Sequence, residues 1–319
     1  MLLISYAPQN HYCFNVDSKN PELLKEIKNL ASCFPNVYVA EKQYEMNSNG
    51  KNGVNSFMEC IKILKGKKWS YLILAQNDDI PMRTNKELVD IFTMAKGNIF
   101  MKFFASNEHW QRYDEDPNIW TYKNINIFNE GDKRNDNEEI MNKHIKLDIG
   151  FFASAFPRKT IDYITNNINI TTLIELTNKD YYGVDEIVFS TLLINKELDV
   201  PGGIDPSCIK KVKDVKSSHP RHIKVDKSKE NRCPTKSRYH DICDNGLETL
   251  NQISMSKSLF LYRIRPEFDY GALYCWANFM YQKMHLNKNN KINNSYTKNY
   301  NLLQFGNPSR GKHDHICNN

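Results

Sequence analysis

Tyr71-Leu72-Ile73-Leu74-Ala75, followed by Asn77-Asp78-Asp79 and then by Thr84-Asn85-Lys86-Glu87, decides the fold class. Five apolar residues without polar alternation have the length and composition of a strand buried on both faces. Thr84 and Glu87 are spaced as a capping box, and Leu88, Ile91, Phe92 and Ala95 then share one helical face. Residues 99–104 supply the next strand. Strand, acidic loop, helix and strand make a βαβ pattern.

Working outward, the same alternation holds upstream. Residues 12–16 read as a strand, and Asn20-Pro21 places a capping side chain before a proline at the first helical position. Leu23, Ile27, Leu30 and Ala31 form one face of the helix that follows. Residues 37–40 are a second short strand, and Val54, Phe57, Met58, Ile61 and Leu64 another amphipathic helix. The fold class is therefore α/β, with a mostly parallel central sheet and helices on both faces. Ligands of such sheets gather outside the carboxyl ends of strands, which singles out the loop beginning at Asp17 and the loop holding Asn77-Asp78-Asp79. No glycine-rich phosphate loop follows the first strand, so a dinucleotide fingerprint and a Walker-type site are both unsupported.

Downstream, residues 129–143 read as a charged surface loop and residues 150–164 as strand then helix. Residues 184–196 form a helix with Asp185 and Glu186 at its start, where Asp185 caps and Glu186 projects from the first turn. Pro201-Gly202-Gly203 is a turn, residues 210–232 are polar and irregular, and residues 286–319 form a flexible, Asn- and Lys-rich tail. One domain over residues 1–285 accounts for the rest.

With 40% hydrophobic residues in 319, the chain can fill a real core. Its 43 Lys and Arg exceed its 37 Asp and Glu only slightly, and they are scattered outside residues 210–229. A solvated basic surface explains that excess, and no nucleic-acid partner is expected. Cys233 and Cys243 are the most closely spaced of the eight cysteines, too far apart for a zinc knuckle. A short disulfide loop of a secretory-pathway protein is the better reading of that pair. Asn169-Ile170-Thr171 and Asn293-Asn294-Ser295 are glycosylation sequons compatible with the lumen. No stretch approaches the roughly 20 apolar residues that span a bilayer. The protein is thus cytosolic, or its targeting segment lies outside this sequence.

An ordered set of residues carries a family resemblance. Tyr6-Ala7-Pro8-Gln9-Asn10, Tyr12-Cys13, Val16-Asp17-Ser18-Lys19 and Ala31-Ser32-Cys33-Phe34-Pro35-Asn36-Val37 come first. Cys60, then Asp79 with Pro81, Thr84 and Asn85, then Asp185-Glu186 and Pro201-Gly202 follow, and Cys233, Arg238, Cys243, Gly246 and residues 263–275 complete it. In this order they resemble the core 2 and I-branching β-1,6-N-acetylglucosaminyltransferases, over roughly residues 1 to 285. The resemblance implies a variant GT-A fold, and an inverting, metal-independent transferase of the Golgi lumen that moves N-acetylglucosamine from a UDP-sugar donor to an O-glycan or glycoprotein acceptor. It also implies segments upstream of residue 1, namely a first strand contacting uracil, a stem and a membrane anchor. Losing that strand should lower yield and activity. A peptide O-xylosyltransferase and an inactive glycan-binding remnant are the competing readings.

Inverting transfer needs a base for the acceptor hydroxyl, and the resemblance gives that role to Glu186. Both acids could instead simply complement the helix dipole. With no metal, cations must stabilise the departing UDP, and Arg238 and Arg263 match the family's diphosphate contacts. Arg238 does so with one extra residue between Cys233 and Cys243, where His240 competes for the position, and Arg263 stands where lysine is usual; an ordinary surface ion pair is the alternative for both. Asp17, Ser18 and Lys19 resemble the segment that contacts uridine, although a plain turn reads equally well, and Ser48 falls at a further donor contact. Trp110, Arg112 and Tyr113 resemble an acceptor-binding segment; a solvent-facing aromatic loop is the alternative. Cys13 with Cys60, and Cys233 with Cys243, resemble the family's disulfides. Cys33 and Cys275 resemble half-cystines whose partners lie upstream. Asn77-Asp78-Asp79 is not expected to hold a metal, since hard cations want more oxygen ligands.

Overall fold

The computed structural model describes residues 6–76, 78–103, 116–204, 206 and 220–286. The chain is mixed α/β and forms two compact units, between which it passes repeatedly. The described residues of 8–74 and 97–206 make the larger unit, and those of 6–7, 75–96 and 220–286 the smaller.

In the larger unit Tyr12–Phe14 pairs in parallel with Val37–Val39, Tyr12 lying opposite Val37. The helix Pro21–Cys33 connects them; Asn20 Oδ1 accepts from the Leu23 amide at 3.0 Å, and Pro21 opens the helix as its fixed φ favours. None of this helix is fully buried, and Leu23 stays 40% exposed. A two-stranded ladder offers too little surface to cover its apolar face. The helix Gly53–Lys65 instead sends Val54, Ile61 and Leu64 into the core. A disulfide from Cys13 to Cys60 ties the first strand to it.

The middle of this unit departs from a mostly parallel sheet. Tyr71–Ile73 runs antiparallel to Ala155–Pro157, and Ala155 also bridges Phe100 in antiparallel fashion. Among the described residues the ladders hold two or three short strands each, and Ile80–Pro81 with Phe260–Leu261 and Arg238–Tyr239 with Ile242–Cys243 are antiparallel too. The reason is that burial on both faces carries no direction. Ala155, Phe156 and Pro157 are all buried, as a central parallel strand would be. Phe156 packs 5.2 Å from the Phe189 ring, and Phe189 belongs to the helix Val188–Ile194, in which every residue is buried. Residues 129–143 are not one irregular loop, since Lys133–Asp136 forms a 3-10 turn and Glu138–Met141 a short helix.

In the smaller unit Phe260–Leu261 is central, antiparallel to Ile80–Pro81 and parallel to Arg221–His222. The capping box forms: the Glu87 amide donates to Thr84 Oγ1 at 3.2 Å and the Thr84 amide to Glu87 Oε2 at 2.8 Å, opening the helix Asn85–Met94. The long helix Tyr270–His285 packs Ala272, Trp276 and Met280 against Ile80, Met82 and Leu261, and Trp276 Nε1 donates to the Pro81 carbonyl at 3.0 Å. Arg221 and Asp79, with side chains 1% and 2% exposed, form a buried ion pair. A Cys233–Cys243 disulfide closes the hairpin Arg238–Tyr239/Ile242–Cys243. Among the described residues no helix is long and apolar enough to cross a membrane.

The two bridges close loops of different length, with separations of 47 and 10 residues. Chain-entropy arguments then predict that Cys13→Ser with Cys60→Ser costs about 4 kcal/mol in urea unfolding, and Cys233→Ser with Cys243→Ser about 3 kcal/mol. Removing one partner of the buried ion pair is a different loss. Arg221→Met should destabilise by about 3–5 kcal/mol, because Asp79 would be left buried as a lone charge. Burial alone then holds the folded Asp79 pKa above its unfolded value, so folding takes up a proton and stability falls as pH rises above about 4. Urea titrations near pH 4 and pH 7 should show the deficit larger at the higher pH; an equal deficit would contradict the assignment.

Candidate active site

The acidic segment sits in the larger unit. Val184–Glu186 is a 3-10 turn that precedes the helix Val188–Ile194, so residues 184–196 are not one continuous helix. Neither start carries a side-chain cap. Gly183, at φ +75°, takes the left-handed position before the turn, and Asp185 packs elsewhere. A Cβ at Gly50, whose φ is +88°, would stand 2.1 Å from Asp185 Oδ1, so this glycine makes room for the carboxylate. The Asn49 carbonyl accepts from the amides of Gly183 at 2.8 Å and Val184 at 3.1 Å. A loop distant in sequence therefore seats the turn.

Glu186 is half-buried. Its carbonyl accepts from the Gly150 amide at 2.9 Å and from Ser190 Oγ at 2.9 Å. Behind it, the same Ser190 hydroxyl hydrogen is shared with the Asp148 carbonyl at 2.7 Å, and the Asp148 amide donates to Thr191 Oγ1 at 3.0 Å. Asp148 itself is 8% exposed, and burial pushes its carboxyl up to about 7. Sequence reasoning passed over this residue. Its one signal was a lone acid directly before the apolar run of residues 149–156.

The segment Asp17-Ser18-Lys19 leans on the same loop. Asp17 bridges Tyr44 in parallel, the Ser18 amide donates to the Tyr44 carbonyl at 2.9 Å, and the Met46 amide donates to Asp17 Oδ1 at 3.3 Å. Lys19 Nζ donates to the Met46 carbonyl and stands 3.5 Å from Asp17 Oδ2. Met46 and Asn49 are three residues apart, at most about 11 Å along the chain. The loop of residues 44–53 thus joins residues 17–19 to residues 183–185, and exposed Ser48 lies within it.

The two arginines lie in the smaller unit. Arg238 Nη1 donates to the Asp226 carbonyl at 2.7 Å and the Ser228 carbonyl at 2.5 Å, and stands 3.6 Å from the Asp226 carboxylate. Hydrogen bonds from Ser228, first its hydroxyl and then its amide, hold Asp226 down to about 2. Arg263 is 3% exposed; Nε donates to Asp244 at 3.0 Å and Nη2 to the Tyr239 carbonyl at 2.9 Å. Arg265 reaches both Asp244 oxygens at 2.8 Å, and Ser237 Oγ adds a bond at 2.7 Å. Those partners hold Asp244 down to about 2 although burial opposes them. Arg263 therefore reaches the residue beside Arg238, while each guanidinium keeps its own carboxylate. Asp244 and Arg265 went unnoticed in sequence, where only an acid following Cys243 hinted at them.

Asp79 is committed to Arg221, and its Oδ2 also accepts from the Gln76 amide at 2.7 Å. Asp78 is half-buried, and burial raises its pKa against the pull of Arg263. Asn77, the acceptor candidates Trp110, Arg112 and Tyr113, and Cys208 and Cys317 lie outside the described residues. Cys33 and Cys275 are exposed free thiols.

Comparison with known proteins adds to this geometry. The family model of the core-2/I-branching enzymes matches residues 1–254. A human β-1,3-galactosyl-O-glycosyl-glycoprotein β-1,6-N-acetylglucosaminyltransferase 3 is 25% identical over 293 residues, which cover 89% of this chain and 65% of the human one. A transferase with the same name apart from the numeral, from bovine herpesvirus 4 (strain V. test), is 26% identical over 310 residues, 89% of this chain and 64% of the viral one. The type 3 enzyme of Bos taurus reaches 30% identity over 200 residues, 60% of this chain and 42% of its own. The chain thus spans just under two thirds of the first two relatives. It belongs to the core-2/I-branching enzyme family.

Proposed function

We propose that this chain is the catalytic part of an inverting glycosyltransferase that moves N-acetylglucosamine from UDP-GlcNAc to a hydroxyl of an O-glycan, in β-1,6 linkage. On this reading it adopts a variant GT-A fold, works in the Golgi lumen behind a membrane anchor, and needs no metal. The observation that carries it is the loop of residues 44–53, which seats the Asp185-Glu186 turn at one end and pairs with Asp17-Ser18-Lys19 at the other. A donor-side segment and a candidate base then share one support. The names of the relatives supply the sugar, the acceptor class and the linkage.

Glu186 is the base in this reading: its half-buried carboxylate takes the proton of the acceptor hydroxyl as that oxygen attacks the anomeric carbon, and UDP leaves from the opposite face. Arg238 and Arg263 receive the growing charge on the diphosphate. Arg263 spends three of its five N–H groups, on Asp244, the Tyr239 carbonyl and the Tyr262 hydroxyl, which leaves two for phosphate oxygens. The commitment of Asp79 to Arg221 supports the metal-free reading, since it removes an oxygen ligand from the acidic loop.

Glu186→Gln tests the assignment. With UDP-GlcNAc, a core 1 O-glycan and excess EDTA, wild type should turn over, while the variant should lose about 100-fold or more in kcat and keep donor affinity by calorimetry. Equal activities, or loss of wild-type activity in EDTA with recovery in manganese, would overturn it. Asp148 provides a separate check on the support beneath Glu186. Its folded pKa of about 7 exceeds the unfolded value, so its favourable contribution is complete below about pH 4 and is lost as pH rises to about 7. Asp148→Asn should flatten that part of the stability profile, by up to about 4 kcal/mol in the unfolding free energies from urea titrations compared across the window.

A further inference from the structure

We propose that Asn169 carries an N-linked glycan whose first sugar covers a neighbouring asparagine-lined cavity. Asn169-Ile170-Thr171 is a sequon, and both disulfides place the fold in an oxidising compartment where such glycans are added. The side chain of half-buried Asn169 makes two hydrogen bonds in the folded chain. Its Oδ1 accepts from the Thr171 amide at 3.2 Å, and Nδ2 donates one hydrogen to the Asn126 carbonyl at 3.1 Å. A side-chain amide has two N–H hydrogens, and glycosylation replaces one. One hydrogen therefore remains on Nδ2 after attachment, as many as the single bond to Asn126 needs.

The surroundings favour a neutral, hydroxyl-rich occupant. Asn126, Phe128, Asn129, Glu130, Gly131, Asn135 and Asn169 line an open cavity of about 430 Å³. Asn129 Nδ2 donates to the Asn166 carbonyl and Asn135 Nδ2 to the Asn129 carbonyl, while their side-chain oxygens accept nothing from the described residues. The side-chain amide of exposed Asn126 likewise has no hydrogen bond among the described residues. These amide groups accept from and donate to sugar hydroxyls without the desolvation cost of a charged group. This site plays no part in the proposed transfer reaction.

Secretion of the chain from eukaryotic cells tests the proposal. Deglycosylation with peptide N-glycosidase in ¹⁸O water should mark Asn169 as aspartate by peptide mass spectrometry. Thr171→Ala and Asn169→Gln should remove the mark, and Thr171→Ser should retain it. Hydrogen exchange over residues 126–135 should be slower in the glycosylated wild type than in Thr171→Ala, and equal rates would overturn the covering of the cavity. An unmodified Asn169 peptide in a sample with both disulfides intact would overturn the glycan. Free thiols at Cys13, Cys60, Cys233 and Cys243 would overturn the oxidising compartment and the proposal with it, whatever the transferase assay returns.

Discussion

The Asn49 carbonyl, shared by the amides of Gly183 and Val184, is the contact on which the larger unit's candidate site depends. Those amides open a turn that has no side-chain cap of its own, and uncapped amides must find acceptors elsewhere. The loop supplies one, and Gly50 lets it come close enough to do so. Side-chain bonds extend the seam: the Asn52 amide donates to Asn178 Oδ1 at 2.7 Å, and Asn178 Nδ2 returns a bond to Asn52 Oδ1 at 2.8 Å. The position of Glu186 is thus set by tertiary contact. Local helix chemistry contributes little.

The smaller unit solves a different problem, that of burying charge. Asp79 with Arg221, and Asp244 with Arg263, are removed from water as ion pairs, and Arg265 joins Asp244 from a partly exposed position. Such pairs add little net stability over apolar residues of the same shape, but leaving either member alone is costly. Their effect is therefore on geometry. Asp244 fixes two guanidinium groups against the hairpin, and the Tyr239 ring lies 5.1 Å from the Arg263 guanidinium and 5.8 Å from that of Arg265.

What was legible in the sequence was the chemistry that acts over a few residues. Asn20-Pro21 and Thr84 with Glu87 open helices as their side chains dictate, and the apolar face of Leu88, Ile91 and Ala95 is buried. Both disulfides form as the family pattern implied. Strand direction was not legible, because Tyr71–Ile73 and Ala155–Pro157 carry the same apolar signature whichever way they run. The break after Glu186 escaped for a related reason. Apolar periodicity continues through Ile187 and Val188, while the contact that forces a 3-10 turn comes from Asn49, far away in the chain. Asp148 and Asp244 look ordinary in sequence; burial in one case and two arginines in the other make them unusual.

The Cys13–Cys60 bridge gives the seam at Asn49 a covalent frame. Cys13 lies in the strand whose end delivers Asp17, and Cys60 lies in the helix that begins where the loop of residues 44–53 ends. The ring closed by the bridge therefore contains both residues 17–19 and the whole loop. At its two ends the ladder of Tyr12–Phe14 on Val37–Val39 fixes one side and the buried face of Gly53–Lys65 the other. Three-residue strands alone hold register weakly, since few ladder bonds oppose a slip. The covalent tie restricts that freedom where a slip would carry Asp17 away from Tyr44 and the loop away from Gly183. Oxidation and the seating of the acidic turn are thus linked through one mechanical path, which runs from a sulfur bridge to a shared carbonyl.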